Sequence, residues 1–167
     1  MVTHYADTRT TRSGSGVVAR ILLTLLGAAG LIVGGLLDWW DGIAGTDLTV
    51  KSLYQTTFTP TDRFVSSVGA VAILLGLLAV LGLVGSSGWL TRLAGALGVV
   101  MFILFAIQAY RGTSSIDTVQ DRLSAITDRL GAGAWVVLGG GLVALVGGFL
   151  GRPRVLTGAT RVRDEDI

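Results

Sequence analysis

At 167 residues the chain has the length of one domain, with 51% of its residues hydrophobic and only 14% charged. Soluble domains carry about 25% charged residues, and a soluble protein of this size needs that charge to cover its surface. There is no cysteine, and the one histidine, His4, lies in a polar N-terminal stretch. That excludes disulfides, thiolate chemistry, histidine catalysis and multi-histidine metal or haem ligation. The net charge is +2 and no run of four basic residues exists, so no nucleic-acid partner is expected.

The polar residues 1–16 lead into a first apolar segment, 17–37. A helix of about 20 residues crosses a ~30 Å hydrocarbon core, and this segment has that length. Its one charge, Arg20, sits near the start, where its stem can snorkel to headgroups. The segment is too long for a signal-peptide core, and no small-x-small site precedes Asp38, so it is read as a retained anchor.

The segment ends in Asp38-Trp39-Trp40-Asp41 and opens a first outer segment, 38–63. There TDLTVKSLYQTTF is rich in β-branched and aromatic residues, with Leu48, Val50 and Tyr54 in partial alternation. A short extended or hairpin element is expected, with Gly42 and Gly45 able to turn the chain. The TPTD turn then leads into a second apolar segment, 64–84, with Thr61 or Asp62 as its N-cap.

A short turn at 85–89 separates this from a third apolar segment, 90–110. A second outer segment, 111–132, follows. In SSIDTVQDRLSAITDRLG, Ile116, Val119, Leu123, Ile126 and Leu130 are spaced 3, 4, 3, 4, which puts them on one helix face. Ser114 or Ser115 is expected to cap its start and Gly131 its end. Asp117, Asp121 and Asp128 fall on the opposite face. This is an amphipathic helix lying on the outer membrane surface or on the first outer segment. Asp117 and Asp128 stand about 16 Å apart along such a helix, too far to share a calcium ion, so the row reads as a solvated face. No metal and no cofactor are expected. The fourth apolar segment is 133–150, and residues 151–167 form a polar tail.

The sequence therefore reads as an all-α membrane protein, one domain holding a four-helix transmembrane bundle, an extended or hairpin outer loop and an amphipathic outer helix. Eight of the 13 basic residues fall on the side of both termini, and five on the other, with seven aspartates. The positive-inside rule then makes tails 1–16 and 151–167 cytoplasmic in a bacterial plasma membrane. Trp39, Trp40, Trp89, Tyr110 and Trp135 all land at predicted span ends, where amphipathic rings anchor in the interface. Many of the 25 glycines lie within the spans. Gly30, Gly34, Gly98, Gly140 and Gly147 are expected at helix contacts, because small residues allow close backbone approach. The GGGLVALVGG run offers a glycine surplus for a partner.

No catalytic constellation emerges, and the glycine pairs follow no strand, so no dinucleotide loop is read. The polar residues within spans, Thr24, Ser66, Ser67 and Gln108, are read as lying near span ends, which speaks against coupled ion transport. GGLLDWW, GIAGTDL and GAGAWVVLGGGLVALVGGFLGR resemble small four-span membrane proteins of actinobacteria without an assigned activity. That resemblance implies an accessory subunit of a larger membrane assembly, a respiratory supercomplex among them. The expected function is thus a non-enzymatic accessory or scaffolding subunit, with membrane lipids and other integral membrane subunits as partners. Asp38, Asp41, Asp117, Asp121 and Asp128 are its candidate outer contact surface. A small oligomeric permease or channel is the alternative. A lipid-handling or envelope-synthesis enzyme using the outer aspartates, with Asp38 and Asp41 the ones whose replacement would abolish activity, is a third reading.

Overall fold

The computed structural model describes residues 15–84, 88–113 and 118–150. In chain order these form helix α1 (Ser15–Leu36), strands β1 (Asp38–Trp40) and β2 (Ile43–Ala44), and two 3-10 turns (Val50–Leu53 and Phe64–Ser66). Helices α2 (Val68–Val84), α3 (Trp89–Gly112), α4 (Val119–Arg129) and α5 (Ala132–Phe149) follow. The described chain is mostly helical. Helices α1, α3 and α5 are long and apolar enough to cross a membrane, and α2 is an apolar helix of 17 residues.

Four helices close into a ring. α1 packs against α2 and α5, α3 packs against the same two, and α1 touches α3 only slightly across the diagonal. The closest seam is α1 against α5. A Cβ added to Gly27 would lie 2.5 Å from the Ala144 nitrogen, and one on Gly30 would lie 2.8 Å from the Gly140 Cα. A Cβ on Gly34 would lie 2.8 Å from the Val137 nitrogen, and one on Gly147 would lie 3.0 Å from the Thr24 nitrogen. The contacts step up α1 as they step down α5, so the helices run antiparallel with backbone on backbone. Gly98 meets Leu31 and Gly141, Gly95 meets Gly141 and Leu145, and Gly35 meets Gly69 and Ala72. Glycine is used here for space, and its weak helix propensity is the cost.

This arrangement corrects the idea of a glycine surplus on α5. Gly140, Gly141, Gly147 and Gly148 are all occupied by α1 or α3, and only Gly139 of that run faces open space. The large side chains point the other way. Leu22, Leu26, Leu74, Leu81, Val100, Ile107, Leu142 and Val146 are exposed, while Ala28, Ala72, Ala79, Ala94 and Ala144 are buried. The outer face of the bundle is lined by large apolar side chains, and its interior mixes alanine and glycine with Leu31, Leu75, Met101, Phe105 and Val137.

Several boundaries differ from those expected. The second apolar segment begins as a 3-10 turn, and α2 starts only at Val68. Thr61 and Asp62 do not cap it. The Ser67 hydroxyl accepts from the Ala70 amide at 3.1 Å. The free amides of Val68 and Gly69 donate to the carbonyls of Leu48 and Gly45 at 2.8 and 2.7 Å. The helix therefore starts where the outer segment's backbone can satisfy its first donors. The hairpin also lies earlier than expected, at Asp38–Ala44. The stretch expected to be extended instead turns at Val50–Leu53, held by bridges from Leu48 to Pro60 and Thr49 to Ser67. Helix α4 is capped by Thr118 and ends at Leu130 rather than Gly131. The expected caps Ser114 and Ser115, and Ile116 and Asp117, lie outside the described residues. Thr24 is also not terminal. It sits within α1, fully buried beside Gly147.

The seam makes a direct prediction. Gly30→Val and Gly140→Val each force a branched side chain into backbone and should cost about 3 kcal/mol or more, at or above the usual range for overpacking. Gly139→Ala fills open space and should leave stability unchanged or slightly raised. Thermal unfolding of the detergent-solubilised variants, followed by circular dichroism, reads the difference.

Candidate functional site: the cap and the opposite arginine end

The hairpin is set by Asp41-Gly42. Both residues have positive φ, 52° and 79°, which a two-residue type I′ turn demands and which Asp-Gly supplies. A register irregularity between Asp38 and Trp40 lets both tryptophans turn inward. Trp39 is fully buried, and its indole N–H donates to the Gly34 carbonyl at 2.8 Å. That carbonyl is in the last turn of α1, where no intrahelical donor reaches it. Gly45 and Gly133 lie so close to the indole that a Cβ on either would fall within 3 Å of it. Trp40 stacks on Phe58 at 4.4 Å, and Phe105 meets Trp39, Trp40 and Phe58 edge-on at 5.2, 6.0 and 5.4 Å.

This cluster overturns the anchor role expected for the pair. Trp39 and Trp40 are enclosed by protein and keep almost no exposed surface with which to anchor. A tryptophan at a helix end has an apolar body and one donor; here the Gly34 carbonyl takes the Trp39 donor, Phe105 packs on Trp39, and Phe58 and Phe105 pack on Trp40. Trp89 and Trp135 are 64% and 50% exposed, and Tyr110 is partly exposed. Trp135 tilts on Phe102, and the Arg122 guanidinium lies over the Tyr110 ring.

Backbone bonds tie the hairpin to the second outer segment. Asp41 N–H donates to the Arg129 carbonyl at 2.9 Å, and Gly131 N–H to the Trp39 carbonyl at 3.0 Å. Ile126 and Leu130 pack on the aromatic cluster, while Val119 and Leu123 on the same helix remain 60% and 55% exposed. The two outer segments thus form one cap over one end of the bundle.

Asp38, Asp41 and Asp128 are exposed on this cap. Asp121 has a local structural role. Its amide donates to the Thr118 hydroxyl and its carboxylate accepts from it, closing the first turn of α4. Among the described residues no group of three or more His, Asp or Glu side chains converges as metal ligands. The cap carries an open depression of about 460 Å³ lined by Thr46, Asp47, Pro60, Thr61, Asp62 and Phe64. Pattern reading did not single out this set, because it joins the two ends of one outer segment.

At the opposite end three helices bring two arginines together. Arg92 on α3 donates from Nε to the Gly148 carbonyl of α5 at 2.8 Å, and its guanidinium lies 4.6 Å from the centre of the Phe149 ring. Arg20 on α1 turns inward rather than snorkelling outward. One of its terminal nitrogens is buried without a hydrogen-bond partner, and a Cβ on Gly88 would lie 3.2 Å from it and 3.3 Å from the Gly148 carbonyl oxygen. The inward position of Arg20 has a steric reason. Gly88, at φ +61°, keeps the entry to α3 low enough to admit the guanidinium.

No protein-family model, curated protein or solved structure matches the chain. The functional reading therefore rests on geometry.

The tryptophan assignments are testable by fluorescence quenching in vesicles containing brominated lipid. In single-tryptophan variants, Trp89 and Trp135 should be quenched strongly and Trp39 and Trp40 weakly. Trp39→Phe keeps most of the ring volume but loses the bond to Gly34, and should destabilise by about 1–3 kcal/mol.

Proposed function

We propose that the chain is a non-catalytic integral membrane protein that works as an accessory or scaffolding subunit of a larger membrane assembly. Its spans are α1, α2, α3 and α5, and both termini face the cytoplasm of a bacterial plasma membrane. The inside-out distribution of side chains supports the membrane reading. Exposed leucines and valines surround the bundle while alanines and glycines make up much of its helix contacts, the pattern expected where the solvent is hydrocarbon. Helix α2 spans about 25 Å at 1.5 Å per residue, and the Phe64–Ser66 turn extends it toward the cap. The basic bias of the termini supports the orientation.

One observation carries the subunit reading. The cap is a built platform, cross-bonded between its two segments, and it leaves Val119 and Leu123 exposed on the α4 face whose other members, Ile126 and Leu130, are packed inward. Two aliphatic side chains one helical turn apart and exposed on a rigid platform are the makings of a protein contact. This supports a partner contact on the cap rather than on the α5 glycines, most of which the bundle consumes.

The test is purification of the tagged chain in mild detergent, with mass spectrometry of copurifying proteins and a native mass. A stoichiometric partner is expected, and Leu123→Glu should reduce its recovery at least tenfold while leaving the chain's own elution unchanged. A clean monomer would contradict the proposal. A clean homo-oligomer would also contradict it and would favour a permease.

A further inference from the structure

An arginine side chain carries its charge under all ordinary conditions and offers five donors in a planar fork. Burying any of them unpaired is costly. At the end of the bundle away from the cap, Arg20 has one terminal nitrogen buried and unbonded. Arg92 spends its Nε on the Gly148 carbonyl, which leaves its two terminal nitrogens for another acceptor. Both side chains close on the same place, since a Cβ on Gly88 would meet the Arg20 guanidinium and the Gly148 carbonyl together, and one on Gly148 would meet the Arg92 side chain at 2.7 Å. Among the described residues no carboxylate pairs with either arginine. The negative end of the α5 dipole draws the pair in, but that end supplies one carbonyl bond to two guanidinium groups.

We propose that Arg20 and Arg92 together bind an anionic phosphate group at this end of the bundle. Two guanidinium groups from different helices offer the N–H donors through which arginine recognises a phosphate by paired N–H···O bonds. The site is built by three helices, so an occupant would bridge α1, α3 and α5 where their glycine contacts end. Trp89, Phe149 and Leu150 around it are all exposed, so an occupant with acyl chains meets apolar surface beside the charge. The same chemistry is offered by an anionic lipid headgroup and by a soluble phosphate. The lipid source rests on the membrane reading above, and the soluble source does not.

The full-length protein in detergent would be titrated with phosphatidylglycerol, with phosphatidylcholine and with inorganic phosphate, and binding followed by native mass spectrometry. Phosphatidylglycerol is expected to bind at least tenfold more tightly than phosphatidylcholine. Arg20→Gln and Arg92→Gln should each lower that affinity at least tenfold, and Arg111→Gln at the cap end should not. Displacement by inorganic phosphate at comparable concentration would assign the site to a soluble phosphate, and no displacement to the lipid headgroup. Should the glutamine variants fail to fold, the thermal midpoint of the unaltered protein decides. A rise with phosphatidylglycerol or phosphate but not with phosphatidylcholine supports the site. Equal binding of both lipids without phosphate binding, or unchanged affinity in both folded glutamine variants, would overturn it.

Discussion

Backbone contact between α1 and α5 is the constraint from which the rest of the structure follows. Gly27, Gly30 and Gly34 on one helix face Ala144, Gly140 and Val137 on the other, at separations that no added Cβ fits. Such closeness brings many weak contacts together, dispersion and Cα–H···O among them. It also restricts the register, because Gly27, Gly30 and Gly140 leave no room for a Cβ at these crossings. With that seam set, α2 and α3 close the ring through Gly35, Gly76, Gly82, Gly95 and Gly98.

The cap depends on the same seam. Gly34 makes room for α5 on one side and presents its carbonyl to the Trp39 indole on the other. Gly133 begins the facing helix beside that indole. The tryptophan is thus a wedge at the junction of the two helix ends, and the hairpin is hung from it. Phe105 on α3 and Phe58 in the outer segment complete the cluster. The ends of α1, α3 and α5 and the outer segments are thereby joined in one aromatic core.

Much of this was legible in the sequence. Uninterrupted apolar runs place the four long helices within a few residues, because hydrophobicity summed over twenty positions is a strong signal. The spacing of Val119, Leu123, Ile126 and Leu130 marks α4 for the same reason. What escaped depends on partners distant in sequence. The start of α2 is set by carbonyls of Leu48 and Gly45, some twenty residues earlier. Trp39 and Trp40 read as interface anchors because a tryptophan at a helix end looks alike whether lipid or protein covers it. The α5 glycines read as spare because sequence does not reveal how close two backbones come. Of the candidate outer surface, the exposed aspartates were legible, whereas the capping duty of Asp121 and the depression between Asp47 and Asp62 were not.

The central claim is the register of the α1–α5 seam, and cysteine cross-linking in native membranes tests it most directly. The chain has no cysteine of its own, so introduced pairs report without background. A Cβ at position 147 would stand 3.2 Å from the Leu23 Cβ, near the ~3.5–4.5 Å found in disulfides. Gly139 has no such neighbour within 4 Å. The account predicts that Leu23→Cys with Gly147→Cys forms an intramolecular disulfide on mild oxidation, and that Leu23→Cys with Gly139→Cys does not. Cross-linking of the second pair, or failure of the first in protein that inserts normally, would contradict it.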